Sequence, residues 1–252
     1  MTTEEKSQRM FQQSRLILSA GTLTRATFPE RVKAAQQAGF DAISLFPQQY
    51  LAARRKEKLS VHAMREILAE HDIALDEVDP LLDWFGLQAS PSENLMMEMA
   101  EGLGARSINV AAAFVSDLSP PEIADYFARV CERVANFGLR ADLEFLPWTG
   151  VADLSAALQI LETVDQPNAG VMFDFWHFFN SGGDMDVLRN LTPAQAARIT
   201  SLQLNDVPQT IEPLIRGESW LYLKDTLQTV VDSIRVLGLD AFRKVALKAK
   251  YP

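Results

Sequence analysis

The residues best suited to chemistry in this chain stand at the ends of short apolar runs. Glu144 ends the run ADLE, Asp174 ends GVMFD, and Gln203 ends ITSLQ. Two carboxylates and an amide oxygen form a ligand set that suits a hard divalent cation. A further run, KVALKAK, should bring a fourth oxygen ligand, but it carries Lys248 instead. The sequence therefore predicts either a metal site that lacks one ligand or a site that does its chemistry differently.

Acid–base chemistry is the second use that these residues suggest. Glu144 is a candidate general base, and His177 follows Asp174 by three residues, so both side chains can reach one metal ion or one substrate oxygen. Lys248 is a candidate base, amine nucleophile or replacement for the metal cation. Each residue also has a plainer alternative. Asp174 could cap a helix, and His177 could be a packed, partly buried histidine. Lys248 could be the counter-ion of Asp142 or Glu144 inside the protein.

Substrate-binding candidates lie close to the same positions in the chain. Arg216 follows the seventh apolar run and could bind a carboxylate, a phosphate or a vicinal hydroxyl pair through its guanidinium fork. Large aromatic residues also stand just past the ends of apolar runs, and we name four as predicted pocket walls: Phe46, Trp84, Trp148 and Trp176. Packing in the core is their usual role. An apolar-walled pocket would instead favour a substrate with an aromatic or other apolar part, or a glycoside of one.

The elements that must position these residues alternate regularly. Eight apolar runs of strand type are separated by amphipathic runs of helical type. The predicted strands are 15–21, 41–47, 73–80, 107–114, 141–147, 169–175, 199–206 and 244–250. Among the predicted helix N-caps are Ser60, Ser92 and Ser119. This alternation predicts a single-domain (β/α)₈ TIM barrel over residues 1–252, with residues 1–14 as a polar extension.

Two general features support that architecture. No Pro/Gly/Ser-rich linker divides the chain, and the alternative, a doubly wound open sheet, is disfavoured because no glycine-rich phosphate loop follows any strand. In a TIM barrel the active groups lie at the carboxyl ends of the strands. Glu144 and Asp174 stand near such ends, as that architecture requires.

Composition narrows the class of protein. The formal net charge of −9 argues against a nucleic-acid or anionic-membrane partner. No apolar run approaches the roughly 20 residues that a membrane-spanning helix needs. The one cysteine, Cys131, excludes an intramolecular disulfide and is expected to be a buried thiol. We therefore expect a cytoplasmic protein that acts on a small molecule. A homo-oligomer stays open, because no stripe of residues specifies an interface.

Three segments, LEFLPWTG, FDFWHFFNSGGD and SLQLND, resemble in their order and spacing the xylose isomerase-like TIM-barrel superfamily. That group includes sugar isomerases and epimerases, dehydratases and an endonuclease. The resemblance implies that Glu144, Asp174 and Gln203 bind one divalent cation, commonly Mn²⁺, Mg²⁺ or Co²⁺. It also implies that His177 is the superfamily's histidine just after the aspartate and that Arg216 binds the substrate. The superfamily's second metal-bound glutamate would stand at Lys248, which departs from the pattern.

These observations favour an isomerase, epimerase or lyase that removes a proton next to a carbonyl group. Glu144 would take the proton, and a metal ion, or Lys248 with His177, would polarise the oxygen. The substrate would be small and hydroxylated, and partly aromatic or glycosidic. Two alternatives remain: a metal-independent enzyme assisted by Lys248, and a non-catalytic binding or partner subunit whose metal site has decayed.

Overall fold

Seven parallel strands form one sheet in the computed structural model, which describes residues 15–112 and 118–204. Each strand pairs with its neighbours in chain order, and at least one helix lies between every two consecutive strands. The strands are β1 (Ile17–Leu18), β2 (Ala42–Leu45), β3 (Ala74–Leu81), β4 (Ser107–Ala111), β5 (Arg140–Glu144), β6 (Ala169–Asp174) and β7 (Ile199–Gln203). The curled parallel sheet with its helices confirms the TIM-barrel prediction. The predicted eighth strand lies outside the described residues.

Amphipathic helices cover the outside of this sheet, as the alternation of apolar and polar residues predicts. They are α1 (Phe28–Ala38), α2 (Pro47–Arg55), α3 (Val61–Glu70), α4 (Pro91–Leu103), α5 (Pro120–Ala135), α6 (Leu154–Val164), α7 (Phe175–Asn180), α8 (Met185–Arg189) and α9 (Pro193–Arg198). Their apolar faces and the strands form one continuous hydrophobic core, which includes Cys131 as a buried thiol.

The helix caps follow the sequence with one correction. Ser60 and Ser119 are the N-caps of α3 and α5, as predicted. The prediction for Ser92 is wrong, because Ser90 caps α4 and accepts a hydrogen bond from the backbone N–H of Glu93. Pro91 explains the earlier start, since proline has no N–H to satisfy and fits the first helical position.

Arginines at or just before the starts of strands bind acids that are buried within the sheet. Asp76 of β3 accepts hydrogen bonds from Arg15 and Arg106, which precede β1 and β4. Asp142 of β5 is fully buried and accepts two hydrogen bonds from Arg140, at 2.6 and 2.7 Å, and one from Thr200 Oγ1 at 2.6 Å. Arg140 is thus the observed partner of Asp142, whereas Lys248, the partner expected from the sequence, lies outside the described residues.

A glycine makes room for that interaction between β5 and β7. A Cβ atom on Gly170 of β6 would overlap both Thr200 Oγ1 and Asp142 Oδ1. The absence of a side chain at residue 170 therefore allows the hydrogen bond between Thr200 and Asp142 to cross β6.

Within the described residues, none of the helices is long and apolar enough to cross a bilayer.

Candidate active site

Two buried carboxylates stand side by side at the carboxyl end of the sheet. Glu144 is the last residue of β5 and Asp174 is the last residue of β6. Their residues are 7% and 2% exposed. Because β5 and β6 are neighbouring parallel strands, their ends place the two acids at the same edge of the barrel. This is the position at which TIM-barrel enzymes carry their reactive groups.

His177 completes a compact cluster with these two acids. The Asp174 carboxylate caps α7 and accepts a hydrogen bond of 2.9 Å from the backbone N–H of His177. The imidazole Nε2 lies 3.5 Å from Glu144 Oε1, and the His177 side chain is 12% exposed. One ligand atom from each of the three residues lies within 4.8 Å of the others. Asp174 is therefore both the helix cap of the plainer interpretation and a member of this cluster.

The donor set and its burial fit a divalent metal ion. Two carboxylates and an imidazole are common ligands of such ions. Nδ1 of His177 is buried and makes no hydrogen bond to the described part of the chain. A buried polar atom without a partner is costly, so Nδ1 calls for a further hydrogen-bond partner, while Nε2 is the ring atom that faces Glu144. The three side chains together can bind a cation or transfer a proton.

An asparagine that the sequence interpretation overlooked lies behind Glu144. Asn109, in the middle of β4, is 1% exposed. Its Nδ2 atom donates one hydrogen bond to Glu144 Oε2 and another to Asp79 Oδ1 on β3, both at 2.8 Å. Three neighbouring strands thus contribute one polar side chain each. Of these residues, Asp79 carried a signal in the sequence, because Glu77 and Asp79 in the run DEVDP lie on one face of a strand.

The electrostatics of this region follow from crowding and burial. Burial and the negative charge of Glu144 together raise the pKa of Asp79 to about 7, against the hydrogen bond from Asn109, which lowers it. Burial also raises the pKa of Glu77 well above its ordinary value, with added repulsion from Asp79 and Asp142. Several acids cannot ionise together at low dielectric without cations. The region therefore favours either a bound proton or a bound cation.

A match over most of the sequence identifies the family of this protein. Residues 32–247 match the sequence profile of the xylose isomerase-like TIM barrel, which covers most of the chain. The chain belongs to this family.

Relatives with assigned activities include enzymes of two kinds. The chain is 27% identical to 3-dehydroshikimate dehydratase of Pseudomonas aeruginosa over 193 residues, which is 72% of this chain but 29% of that protein. It is 25% identical to 2-oxo-tetronate isomerase of Haemophilus influenzae over 221 residues, which is 81% of this chain and 83% of that protein. The chain therefore spans less than a third of the dehydratase but most of the isomerase.

Solved structures of the xylose isomerase-like family share the fold. The probable 3-DHS dehydratase AsbF of Bacillus anthracis superposes with a TM-score of 0.66 at 16% identity, over 92% of this chain and 99% of that chain. The IOLI protein, determined with a bound zinc atom, gives a TM-score of 0.65 at 16% identity, over 94% of this chain and 100% of that chain. At this level of identity the likeness establishes the architecture alone.

Of the remaining predicted ligands, the structure describes Gln203. The Cα atom of Gln203 pairs with that of Asp174 in the β6–β7 ladder, and Gln203 is half-buried at the last position of β7. Its role as a metal ligand stays a prediction. Lys248 and Arg216 lie outside the described residues, so their roles stay predictions as well.

The predicted aromatic walls separate into two groups. Trp148 is 56% exposed, and its ring centroid lies 5.8 Å from that of Trp176 and 5.4 Å from that of His177. The imidazole and the two indoles thus form an edge-to-face cluster beside the acids. Phe46 follows β2 directly and is half-buried. It lies at the carboxyl end of its strand, where the sequence placed it.

Trp84, the fourth predicted pocket wall, is buried. It is 1% exposed, its Nε1–H donates to the carbonyl oxygen of Ala111 at 2.9 Å, and its ring stacks on Phe85. Burial of a tryptophan with its N–H satisfied is typical of core packing. The structure therefore places Trp84 in the core, and a direct contact with a substrate stays a prediction.

Proposed function

We propose that this chain is an isomerase or lyase that removes a proton from the carbon next to a carbonyl group of a small hydroxylated compound. The observation that carries the proposal is the meeting of Glu144, Asp174 and His177 at the carboxyl end of the barrel, with ligand atoms within 4.8 Å of one another. The relatives named as a dehydratase and an isomerase support this class, because both reactions can begin with the same proton transfer.

Glu144 is the proposed base. Its Oε1 atom and the Nε2 atom of His177 are 3.5 Å apart, so they can act on adjacent atoms of one substrate. Glu144 takes the proton from carbon while His177 donates a hydrogen bond to the neighbouring oxygen. In an isomerisation the proton returns to the former carbonyl carbon, and a second proton moves from the neighbouring hydroxyl group to the former carbonyl oxygen. In an elimination it stays on Glu144, and a hydroxyl group leaves as water after His177 protonates it.

A divalent cation is the proposed cofactor, with Mn²⁺, Mg²⁺ or Co²⁺ as candidates. Glu144, Asp174 and Gln203 would hold it, and His177 lies close enough to join them. When bound, the cation supplies positive charge against the oxygen on which negative charge develops. The alternative, in which Lys248 supplies that charge without a metal, predicts full activity after exhaustive chelation.

The proposed substrate class rests on the aromatic residues beside the acids. Trp148 presents an exposed indole face, with Trp176 and His177 at its edge. Such a surface binds the flat or apolar face of a partner. We therefore propose a carbonyl compound with both hydroxyl groups and an apolar or ring-shaped part. Arg216 is the proposed partner of a carboxylate, phosphate or hydroxyl pair on the same compound.

Turnover of 3-dehydroshikimate and 2-oxo-tetronate, the compounds in the names of the two relatives, tests this proposal together with the metal content of the purified protein. We expect Glu144→Gln to reduce turnover by about 10²–10⁴-fold, the usual contribution of a general base. Circular dichroism and the melting temperature should show a folded protein.

A second His–Glu pair provides the matched control. His62 Nε2 lies 3.3 Å from Glu66 Oε1, but this pair is on the surface, with side chains 81% and 59% exposed. Glu66→Gln should leave turnover unchanged. Equal turnover by Glu144→Gln and the native chain would remove Glu144 from the mechanism, and full turnover after chelation would remove the metal.

A further inference from the structure

The carboxylate of Glu144 is held at one of its two oxygens. Oε2 accepts a hydrogen bond of 2.8 Å from Asn109 Nδ2, while Oε1 is the atom that faces His177 at 3.5 Å. The second Nδ2 hydrogen of Asn109 is donated to Asp79 Oδ1 at 2.8 Å. The amide nitrogen therefore links a carboxylate on β3 to a carboxylate on β5.

The chemistry of the partners fixes the orientation of this amide. Nδ2 carries two donors, and it faces two carboxylate oxygens, which are acceptors. Rotating the amide by half a turn would place Oδ1, an acceptor, against both of them. Asp79 thus does more than fill space, because its hydrogen bond sets the rotation of Asn109 and keeps the second donor on Glu144.

The supporting side chains are carried by strands rather than by loops. Asp79, Asn109 and Glu144 lie on β3, β4 and β5, which are consecutive in the sheet. All three residues are at least nine-tenths buried. Groups on packed strands keep a fixed geometry better than groups on loops, and residues behind a ligand or base set its orientation.

We propose that Asn109 and Asp79 are positioning residues that hold Glu144 Oε2 and so leave Oε1 as its one working atom. Glu144 then acts through Oε1 alone, both toward a cation and toward the substrate proton. The functional part of this inference rests on the function proposed above. The structural part, that Asn109 holds Glu144, can be tested without any activity.

A double-mutant cycle tests the structural part in chelator-treated protein. Asn109→Leu and Glu144→Leu each remove one side of the hydrogen bond, so the second change should cost less once the first is made. We expect the unfolding equilibrium constant of the double variant to differ from the product of the two single effects by about fivefold or more. Agreement with that product within about twofold would overturn the inference. Asn109→Ala and Glu144→Ala repeat the cycle if a leucine variant does not fold.

Asn168 is a matched control for the asparagine. Its Nδ2 also donates two hydrogen bonds, to the carbonyl oxygens of Cys131 and Leu139 at 2.9 and 3.0 Å. The Oδ1 atoms of Asn109 and Asn168 are both buried without a hydrogen bond to the described residues. These partners are backbone groups and not carboxylates. Asn168→Leu should destabilise the protein yet combine additively with Glu144→Leu.

Cobalt binding tests the functional part, because Co²⁺ bound to protein ligands is visible by absorption. Changing a residue behind a metal ligand typically costs about 10–100-fold in metal affinity. We expect Asn109→Leu to weaken Co²⁺ binding within that range and Asn168→Leu to leave it within about twofold of the native value. Asp79→Leu should weaken it more than Asp79→Asn, which keeps an oxygen acceptor for the Asn109 amide.

Turnover adds a readout that general loosening of the fold would not reproduce. Asn109→Leu should lower kcat by about tenfold or more, with KM unchanged, because the base is misdirected while the substrate walls are intact. Native Co²⁺ affinity in Asn109→Leu, beside its loss in Glu144→Gln, would overturn the positioning role and leave the proposed function standing. Native Co²⁺ affinity in Glu144→Gln would instead overturn the proposed metal site, and the double-mutant cycle would still decide whether Asn109 holds Glu144.

Discussion

Two acids of β5 are buried in opposite ways. In the middle of the strand, Asp142 is fully buried and is bound by Arg140 through two hydrogen bonds. At its end, Glu144 is held by the neutral amide of Asn109 and lies beside His177. One acid is thus neutralised by a fixed cation from the chain, whereas the other is oriented but keeps its charge uncompensated by any arginine or lysine among the described residues.

This difference separates stability from chemistry within one strand. A carboxylate neutralised by a guanidinium group has little to gain from a metal ion or a proton. A carboxylate held by an amide is oriented without being neutralised, so it can still accept either. The carboxyl end of the barrel therefore lacks the compensating cation that Asp142 has, which is the arrangement that the proposed active site requires.

Loss of the cation at the start of β5 should have the largest effect on folding. Arg140→Met leaves Asp142 buried without its charged partner and removes the positive charge that opposes the raised pKa of Glu77. Breaking a buried ion pair from one side costs about 3–5 kcal/mol. Urea denaturation of the variant and the native chain measures this loss.

The control for Arg140 is an ion pair on the surface. Arg189 contacts Asp186 at 2.7 Å with both side chains more than half exposed. Arg189→Met should change the free energy of unfolding by about 0–1 kcal/mol, as exposed pairs usually do. A similar small effect in Arg140→Met would show that the two acids of β5 do not differ in the way described.

Asp79, near the carboxyl end of the sheet, should make the stability of the protein depend on pH. Because burial and the negative charge of Glu144 raise the pKa of Asp79 from 3.8 to about 7, the folded chain holds a proton between these values that the unfolded chain has released. This contribution to stability is therefore complete below about pH 4 and is lost as the pH rises toward 7. One proton corresponds to a slope of at most about 1.4 kcal/mol per pH unit.

Asp79→Asn should reduce that slope by about one proton, since asparagine does not ionise. Urea denaturation at pH 5, 6, 7 and 8 in the presence of chelator measures it. Asp165→Asn is the control, because Asp165 is an exposed acid at the end of α6 and should leave the slope as it is. An unchanged slope in Asp79→Asn would mean that Asp79 is already ionised in the folded protein.

The fold was predictable because it depends on local patterns. Apolar runs of strand type predicted all seven described strands, and the count of β/α units predicted a barrel. The error at Ser92 was a shift of two residues within one helix start, where Ser90, Pro91 and Ser92 all suit the first positions. Such boundaries depend on which of several competent residues the tertiary packing selects.

The site was predictable only where a residue stood at a strand end. Glu144, Asp174 and His177 were identified because acids and histidines after an apolar run are unusual. Asn109 was missed because an asparagine inside an apolar strand carries no chemical signature of its own. Its importance comes from the pairing of β3, β4 and β5, which brings Asp79 and Glu144 to its two donors. That relation is three-dimensional and cannot be read from spacing.

The smallest expected effect concerns the exposed aromatic residues that flank β5. Phe137 precedes the strand and is 45% exposed, and Trp148 follows it and is 56% exposed. If the carboxyl end alone faces a substrate, Trp148→Ala should raise KM by about 3–10-fold, matching the roughly 0.5–1.5 kcal/mol of one aromatic contact, with kcat little changed. Phe137→Ala should leave both constants unchanged.

Steady-state kinetics of the two variants, with ligand quenching of tryptophan fluorescence as a second readout, measures the difference. Equal KM values for the two variants would show that the indole of Trp148 is not a substrate wall, and the apolar part of the proposed substrate would then lose its support.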